Sequence, residues 1–218
     1  MLCSLTLYAG LKKKFPDARI TLVVAKTNYE IPFFDINPFI DRVIVFDKSS
    51  LASIISFIKS LRSRKYDIGI VPSTIVLSRT SHILNFLSGA KLRVGVKSID
   101  EVPNSFSKLL NVKSDFLWRG VPQLMRNLQV INQINCDLSE KEIKNIKINL
   151  SESDYAFAHN FLAKNFSGND KKIIAFHPGA GKTANRWDKE NFINLIKKIY
   201  NTYQNNILIT SGWNEEEL

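Results

Sequence analysis

The sequence predicts an α/β protein with mostly parallel sheets, because short apolar strands alternate with amphipathic helices along the chain. Apolar runs of strand length occur at residues 20–25, 42–46, 67–71 and 92–96. Helical periodicity fills two of the intervals, at residues 51–62 and 77–87. This alternation is typical of βαβ units, so residues 1–150 are expected to form a Rossmann-like domain.

The two ends of this domain are less regular in sequence. The chain opens on a predicted helix, with an apolar stripe through Leu7 and Leu11 that Pro16 closes. Residues 98–119 show no clean period, which predicts a long functional loop or a mobile segment. A helix is predicted at residues 121–134.

A second α/β unit is predicted after residue 150. Helices are predicted at residues 152–165 and 188–203, and strands at 172–176 and 206–210. Two parallel strands cannot build a sheet with both faces covered. Residues 151–218 are therefore expected to be only the start of a second Rossmann-like domain, and the chain to be truncated.

The composition describes a basic globular protein. Lys and Arg outnumber Asp and Glu by 30 to 20, which gives a net charge of +10 and a sequence pI near 9.6. This balance favours anionic partners, although lysines also serve simply to solvate helix faces. The basic run Lys12-Lys13-Lys14 is accordingly either a solvated helix face or a peripheral contact with an anionic membrane at its cytoplasmic face. No nucleic-acid partner is predicted, because no recognition motif accompanies the charge.

The cysteines and the hydropathy pattern suggest a compartment. Cys3 and Cys136 are too few for a disulfide framework, which predicts reduced thiols. No apolar run of about 18 residues is present, so no transmembrane helix is predicted. A cytoplasmic protein is therefore expected.

The most informative segment is the turn that follows the predicted strand at 172–176. It combines small residues with basic and hydrogen-bonding side chains: His177, Pro178, Gly179, Ala180, Gly181, Lys182, Thr183, Asn185 and Arg186. Ligands of open α/β sheets bind at the carboxyl ends of the strands, and a turn that bares its N–H groups before a helix binds anions. The turn is therefore predicted to bind phosphate, with a plain solvent-exposed βα turn as the alternative.

This turn is not a Walker P-loop. Gly181-Lys182-Thr183 matches the end of that motif, but the motif needs a glycine where Phe176 stands.

Six segments form an ordered set that covers essentially the whole chain. They are residues 9–23, 41–47, 66–68, 87–95, 126–128 and 177–192. The last segment begins with His177-Pro178-Gly179-Ala180 and continues with Arg186-Trp187 and Phe192. The set resembles the sequence pattern of glycosyltransferase family 9, the lipopolysaccharide heptosyltransferases.

The resemblance implies a GT-B fold, in which a first Rossmann-like domain binds the acceptor and a second binds a nucleotide-activated sugar. It implies transfer of heptose, or a related sugar, from a nucleotide-sugar donor such as ADP-heptose to the lipopolysaccharide core or a similar glycan acceptor. No metal or other cofactor is implied. The leaving nucleotide gathers negative charge, which a metal-free enzyme neutralises with backbone amides, a helix dipole and cationic side chains.

The resemblance also implies donor-binding residues. These are His177, Gly179, Ala180, Gly181, Lys182, Thr183, Asn185, Arg186 and Glu216. Asn185 stands where the family usually has a lysine, so Lys182 or Arg186 would supply the charge. Glu216, with Glu215 nearly as suitable, corresponds to an acidic residue beside the donor. Trp187 is predicted to anchor the turn as a core residue, with stacking on a base as the alternative.

No catalytic residue can be assigned. In the family an aspartate after the first strand is regarded as the general base, and both would lie before Met1. A later donor-binding loop would lie beyond Leu218. The 218-residue chain is therefore expected to be inactive by itself, and the alternative function is that of a truncated remnant or pseudoenzyme that acts at most as a binding module.

Other polar residues give further predictions. Ser73 and Thr74 follow a strand of the first sheet, and with Asp67 they are expected to face the acceptor. His82 and His159 lie in helical patterns and are predicted to lie on helix surfaces.

Overall fold

The structure is a computed structural model that describes residues 2–26, 33–72, 77–166, 171–181 and 183–212. The chain divides into two compact units, Met1–Leu150 and Ser151–Leu218. Each is an α/β unit with parallel strand pairs, so the predicted fold class is confirmed.

The first unit contains six helices and six strands among its described residues. The helices are α1 (Leu5–Lys14), α2 (Phe33–Ile36), α3 (Leu51–Arg62), α4 (Arg79–Leu87), α5 (Gln123–Asn132) and α6 (Glu140–Lys144). The strands are β1 (Thr21–Ala25), β2 (Arg42–Phe46), β3 (Ile68–Ile70), β4 (Leu92–Ile99), β5 (Val102–Pro103) and β6 (Val112–Phe116). The predicted strands and helices before residue 98 are confirmed, with ends that differ by at most three residues.

These strands form two separate sheets. β1 pairs with β2 in parallel, with Val23 opposite Ile44. In the second sheet β4 is central, with β3 and β6 parallel to it and the short β5 antiparallel. Among the described strands, no pairing joins β1 to β3.

Helices cover both faces of this unit. On one face α1 and α5 bury a cluster that includes Leu7, Leu11 and Ile131, against which Leu22 of β1 and Ile70 of β3 pack. On the other face Phe57 and Leu61 of α3 pack with Ile44, Val23 and Leu84. Ser50 and Ser78 cap α3 and α4 by accepting hydrogen bonds from backbone N–H groups three residues on, as is favoured at helix starts.

Residues 98–119 are not a long loop, so that prediction is wrong. β4 continues to Ile99, turns back into β5, and is joined through a short 3₁₀ helix at Ser107–Leu109 to β6. Among the described strands β6 pairs with β4 alone, and an edge strand tolerates polar residues such as Lys113 and Asp115. The sequence therefore lacks the continuous apolar run that marks a central parallel strand.

The second unit contains α7 (Glu152–Phe166), β7 (Ile173–Phe176), α8 (Lys189–Tyr203) and β8 (Asn206–Ile209). β7 and β8 are parallel, with Phe176 opposite Ile209. The predicted helices and strands of this unit are confirmed. Across all the described residues, no helix combines the length and the apolar character needed to cross a membrane.

Candidate functional site

The carboxyl ends of β7 and β8 are joined by a contact between His177 and Thr210. His177 follows β7 directly, and its Nδ1 lies 3.0 Å from Thr210 Oγ1, just after β8. The Thr210 hydroxyl donates its single proton to the Phe176 carbonyl at 3.3 Å, so it accepts from His177 and Nδ1 carries the ring proton. The contact therefore fixes both the orientation and the tautomer of His177 at the edge where open α/β sheets bind ligands.

Arg186 holds the turn in its folded form. Its backbone N–H donates to the Thr183 carbonyl at 3.0 Å, which closes a 3₁₀ turn at Thr183–Asn185. Its Nε donates to the Ala180 carbonyl at 3.0 Å. A guanidinium has five donors, so Arg186 braces the turn while placing positive charge within it.

Neither the backbone conformation nor steric crowding explains the glycine at position 181. Its φ lies outside the left-handed range, and no atom comes within 4 Å of the position that a Cβ would occupy. The backbone therefore does not require a glycine at position 181. An exposed glycine with open space around it instead leaves the main chain accessible to a ligand.

The turn does not lead directly into α8, although the sequence predicted that a helix follows it. The 3₁₀ turn intervenes, and the carboxylate of Asp188 caps α8 by accepting a hydrogen bond from Glu190 N at 2.9 Å. A negative charge already occupies this helix end, where an anion would otherwise be stabilised. An anion at the turn would therefore be bound by the turn itself and not by the amino end of α8.

Trp187 is not a core residue, so that prediction is wrong. Its side chain is 50% exposed and packs edge to face against Phe192, with the ring centroids 5.0 Å apart. No described residue of the second unit is fully buried, so this part of the chain offers no core in which a tryptophan could be anchored.

The other predicted site residues are placed as follows. Gly179 and Ala180 are half-buried within the turn, and Thr183 and Asn185 are exposed. Four predicted site residues lie outside the described residues: Ser73, Thr74, Lys182 and Glu216.

Asp67 does not lie on the ligand side, contrary to prediction. It precedes β3 and pairs with Lys91 at 3.1 Å, and both side chains are at least 80% exposed. The amino ends of parallel strands lie opposite the edge at which ligands bind.

Thr210 is the site residue that sequence reasoning missed. A usable signal was present, because a polar residue follows β8 directly and the register places it beside His177. Finding it required the pairing of two strands that are far apart in the chain.

The basic run on α1 is engaged in ion pairs. Lys12 lies 2.9 Å from Asp41, and Lys13 lies 2.9 Å from Glu142. The partly exposed pairs fit the solvated helix face, and nothing in the contacts supports the membrane alternative.

Each of the two units combines parallel strand pairs with helices, as the domains of GT-B transferases do. The model of glycosyltransferase family 9 (heptosyltransferase) matches residues 54–218. The chain therefore belongs to this family, and the resemblance found in the sequence is confirmed.

Solved structures agree with this fold. The chain is similar to the structure of E. coli ADP-heptose LPS heptosyltransferase II, with a TM-score of 0.64 and 18% identity, covering 100% of this chain and 62% of that one. A glycosyl transferase family 9 protein from Veillonella parvula gives 0.63 and 16%, covering 98% and 66%. E. coli heptosyltransferase WaaC with ADP gives 0.60 and 17%, covering 97% and 63%.

The chain thus spans roughly two thirds or less of the length of these structures. No curated protein gives a significant match. The comparisons give no support to the alternative of a truncated remnant or pseudoenzyme.

Proposed function

We propose that this chain acts in the transfer of heptose, or a related sugar, from ADP-heptose to the lipopolysaccharide core or a similar glycan. Membership of the heptosyltransferase family supports the reaction class. One similar structure is that of an ADP-heptose LPS heptosyltransferase, and another contains ADP. The second unit would bind the nucleotide, and the first unit the acceptor, with Ser73 and Thr74 as proposed contacts.

The observation that carries this proposal is the fixed turn between β7 and α8. When the glycosidic bond breaks, the ADP leaving group gains negative charge, which preorganised donors stabilise more strongly than mobile ones do. Arg186 holds the turn through Ala180, and Thr210 holds His177. These hydrogen bonds hold Arg186 and His177 in place, as stabilisation of a leaving diphosphate requires.

Each part of the turn has a proposed role. Backbone amides around Gly179 and Gly181 would donate to diphosphate oxygens, and Arg186 and Lys182 would supply positive charge in place of a metal ion. His177 would contact the nucleotide through Nε2, which accepts from a hydroxyl when neutral and donates to a phosphate oxygen when protonated. A hydrogen bond to a charged group contributes about 1.5–3 kcal/mol.

Calorimetric titration with ADP tests the proposal. Lys182→Ala and His177→Ala are expected to weaken ADP binding by roughly tenfold or more, because each removes a contact to the nucleotide. Lys197→Ala and His159→Ala are matched controls on exposed helix positions and are expected to leave binding unchanged. AMP is expected to bind more weakly than ADP, since it lacks one phosphate.

Two results would contradict the proposal. The first is ADP binding that neither Lys182→Ala nor His177→Ala alters. The second is equal affinity for ADP and AMP, which would show that the turn does not contact the diphosphate.

A further inference from the structure

A buried hydrogen-bond network lies where the start of α4 meets the carboxyl half of β4. His82 of α4 has no solvent-exposed surface, and its Nδ1 lies 2.6 Å from the Ser78 carbonyl, which can only accept. Nδ1 therefore carries the ring proton. Nε2 is then an acceptor, and it receives a hydrogen bond from Asn104 Nδ2 at 2.9 Å. The network requires the neutral ring, because an imidazolium carries a proton on both nitrogens.

Asn104 cannot turn its amide to accommodate a protonated ring. Its Oδ1 accepts from Phe106 N at 3.0 Å, and its Nδ2 also donates to the Val96 carbonyl at 2.7 Å. A reversed amide would place donor against donor at Phe106 and acceptor against acceptor at Val96, so two hydrogen bonds would be lost. A proton on Nε2 of His82 would therefore face the Asn104 amino group and find no acceptor.

The cations around His82 oppose its protonation. Basic side chains lie on α4, on β4, on the 3₁₀ helix and on β6: Arg79, Arg93, Lys97, Lys108 and Lys113. The guanidinium of Arg79 lies over the Phe106 ring, 5.7 Å from its centroid, and the Phe106 ring is 6.2 Å from the His82 ring. A second positive charge at His82 would be repelled by this neighbour.

The described carboxylates of the same region have other contacts. Asp115 pairs with Lys97 at 2.7 Å, Asp100 accepts from Trp118 N at 2.6 Å, and Glu101 is exposed. In the described part of the chain, no carboxylate is hydrogen-bonded to the His82 ring. A positive charge on the buried ring would therefore have no compensating partner, which makes it costly.

We propose that His82 and Asn104 form a proton-sensitive latch, in which protonation of His82 releases residues 104–109 from the start of α4. These residues, the latch segment, include the 3₁₀ helix Ser107–Leu109, and the Asn104 carbonyl accepts from Ser107 N at 2.9 Å. The start of α4 and the end of β4 lie at the edge where open α/β sheets bind ligands. Acid would therefore loosen this edge while the rest of the first unit stays folded. The latch is independent of the proposed nucleotide site.

Proton linkage gives the size of the effect. A ring that is protonated only when the latch is open couples opening to the uptake of one proton. An imidazole in water is protonated below about pH 6.5, so the latch stays closed above this pH and opens increasingly below it. The opening constant is expected to rise about tenfold from about pH 7.5 to 5.5.

Hydrogen exchange of the full chain tests the latch. Exchange rates are measured by mass spectrometry at both pH values and compared with the chemical rate at each pH, which gives protection factors. Protection of residues 104–109 is expected to fall about tenfold at the lower pH. Residues 123–132 of α5 are the internal control and are expected to keep their protection.

Variants separate His82 from the other titrating groups. The chain has three histidines, so the double substitution His159→Ala and His177→Ala leaves His82 as the only one and is expected to retain the change. His82→Gln cannot be protonated and is expected to lose the pH dependence. Asn104→Asp places a carboxylate against Nε2 that accepts from a protonated ring. The latch segment of this variant is therefore expected to be better protected at the lower pH than at the higher one.

Nitrogen NMR of the double histidine variant gives a readout that leaves the latch itself unaltered. At the higher pH the His82 ring is expected to be the tautomer with its proton on Nδ1. The opposite tautomer would overturn the inference, because Asn104 could not then donate to the ring.

Three exchange results would also overturn the inference. Equal protection of residues 104–109 at the two pH values would mean that the latch does not respond to protons. A tenfold fall that persists in His82→Gln would assign the response to another group. An equal fall in α5 would mean that acid unfolds the whole unit and not the latch alone.

Discussion

Asn104 donates a hydrogen bond from Nδ2 to Nε2 of His82 across 2.9 Å, and both side chains are buried. His82 Nδ1 lies 2.6 Å from the Ser78 carbonyl, which can only accept, so Nδ1 carries the proton and Nε2 is the acceptor. The second Nδ2 proton of Asn104 goes to the Val96 carbonyl at 2.7 Å. The pair thus ties α4 to β4 and to the segment that follows it.

Replacing His82 by Ala is expected to lower the free energy of unfolding by about 2–3 kcal/mol, because Asn104 loses a buried partner and a void remains. Urea denaturation followed by circular dichroism measures this change. His159→Ala, on an exposed face of α7, is the control and is expected to change the free energy by less than about 0.5 kcal/mol. A similarly small effect of His82→Ala would mean that the hydrogen bonds contribute little to stability.

His82 also shows why the sequence prediction failed there. The helix pattern placed His82 on the surface beside apolar neighbours, yet Ile83 is 36% and Phe86 51% exposed while His82 is fully buried. Burial of a histidine is stable here because both ring nitrogens have partners. One of these partners is Asn104, which lies in the segment that the sequence predicted as a loop. The burial of His82 could therefore not be inferred from the sequence of its own helix.

The fold was predictable wherever local pattern decided the structure. β2 and α3 occupy the ranges predicted for them, since a β-branched run and a serine-capped amphipathic stretch need no distant partner. The turn after β7 was likewise found from its composition. The contact of His177 with Thr210 was not, because it depends on the register of two strands and joins residues 33 positions apart.

The turn between β4 and β5 carries backbone strain that a glycine would relieve. Asp100 and Glu101 have φ values of 48° and 71°, in the left-handed region that costs a residue with a Cβ about 1–2 kcal/mol. Asp100 Oδ1 accepts from Trp118 N at 2.6 Å, so its side chain is needed, whereas Glu101 is exposed. Glu101→Gly is therefore expected to raise the free energy of unfolding by up to about 1 kcal/mol, after the entropic cost of glycine.

The matched control for this prediction is Glu101→Ala. It removes the same charged side chain but keeps the Cβ, and should give no gain in stability. If Ala stabilised the protein as much as Gly, loss of the Glu101 charge and not relief of strain would be responsible. Denaturant titration of the three proteins separates the two causes.

Glu142 predicts a dependence of stability on acid pH. Its carboxylate accepts from Ser139 N at 2.7 Å and pairs with Lys13 at 2.9 Å, which joins the start of α6 to α1. The Ser139 backbone hydrogen bond, followed by the Lys13 contact, lowers the pKa of Glu142 from 4.5 to about 2. The lower pKa in the folded chain means that the carboxylate stabilises the fold fully above about pH 4.5, and that this contribution is lost as the pH falls towards 2.

Glu142→Gln is expected to lower the thermal midpoint at neutral pH and to flatten its pH dependence in that acid range. Glu140→Gln, on the same helix but without an ion pair among the described residues, is expected to retain the wild-type curve. Thermal scans at several pH values measure all three proteins. Parallel curves for wild type and Glu142→Gln would show that this carboxylate does not contribute to acid sensitivity.

Thr210→Val tests whether the orientation of His177 matters for nucleotide binding. Valine has nearly the same shape as threonine but cannot accept a hydrogen bond from His177 Nδ1. The ring would therefore lose its fixed orientation and tautomer. Because one hydrogen bond contributes about 0.5–1.5 kcal/mol, ADP affinity is expected to fall roughly three- to tenfold in calorimetry. Thr202→Val, which removes an exposed hydroxyl on α8 that donates to the Lys198 carbonyl, is the control and is expected to leave ADP affinity unchanged. ADP affinity that is unaltered in Thr210→Val but lost in His177→Ala would mean that His177 binds the nucleotide without help from Thr210.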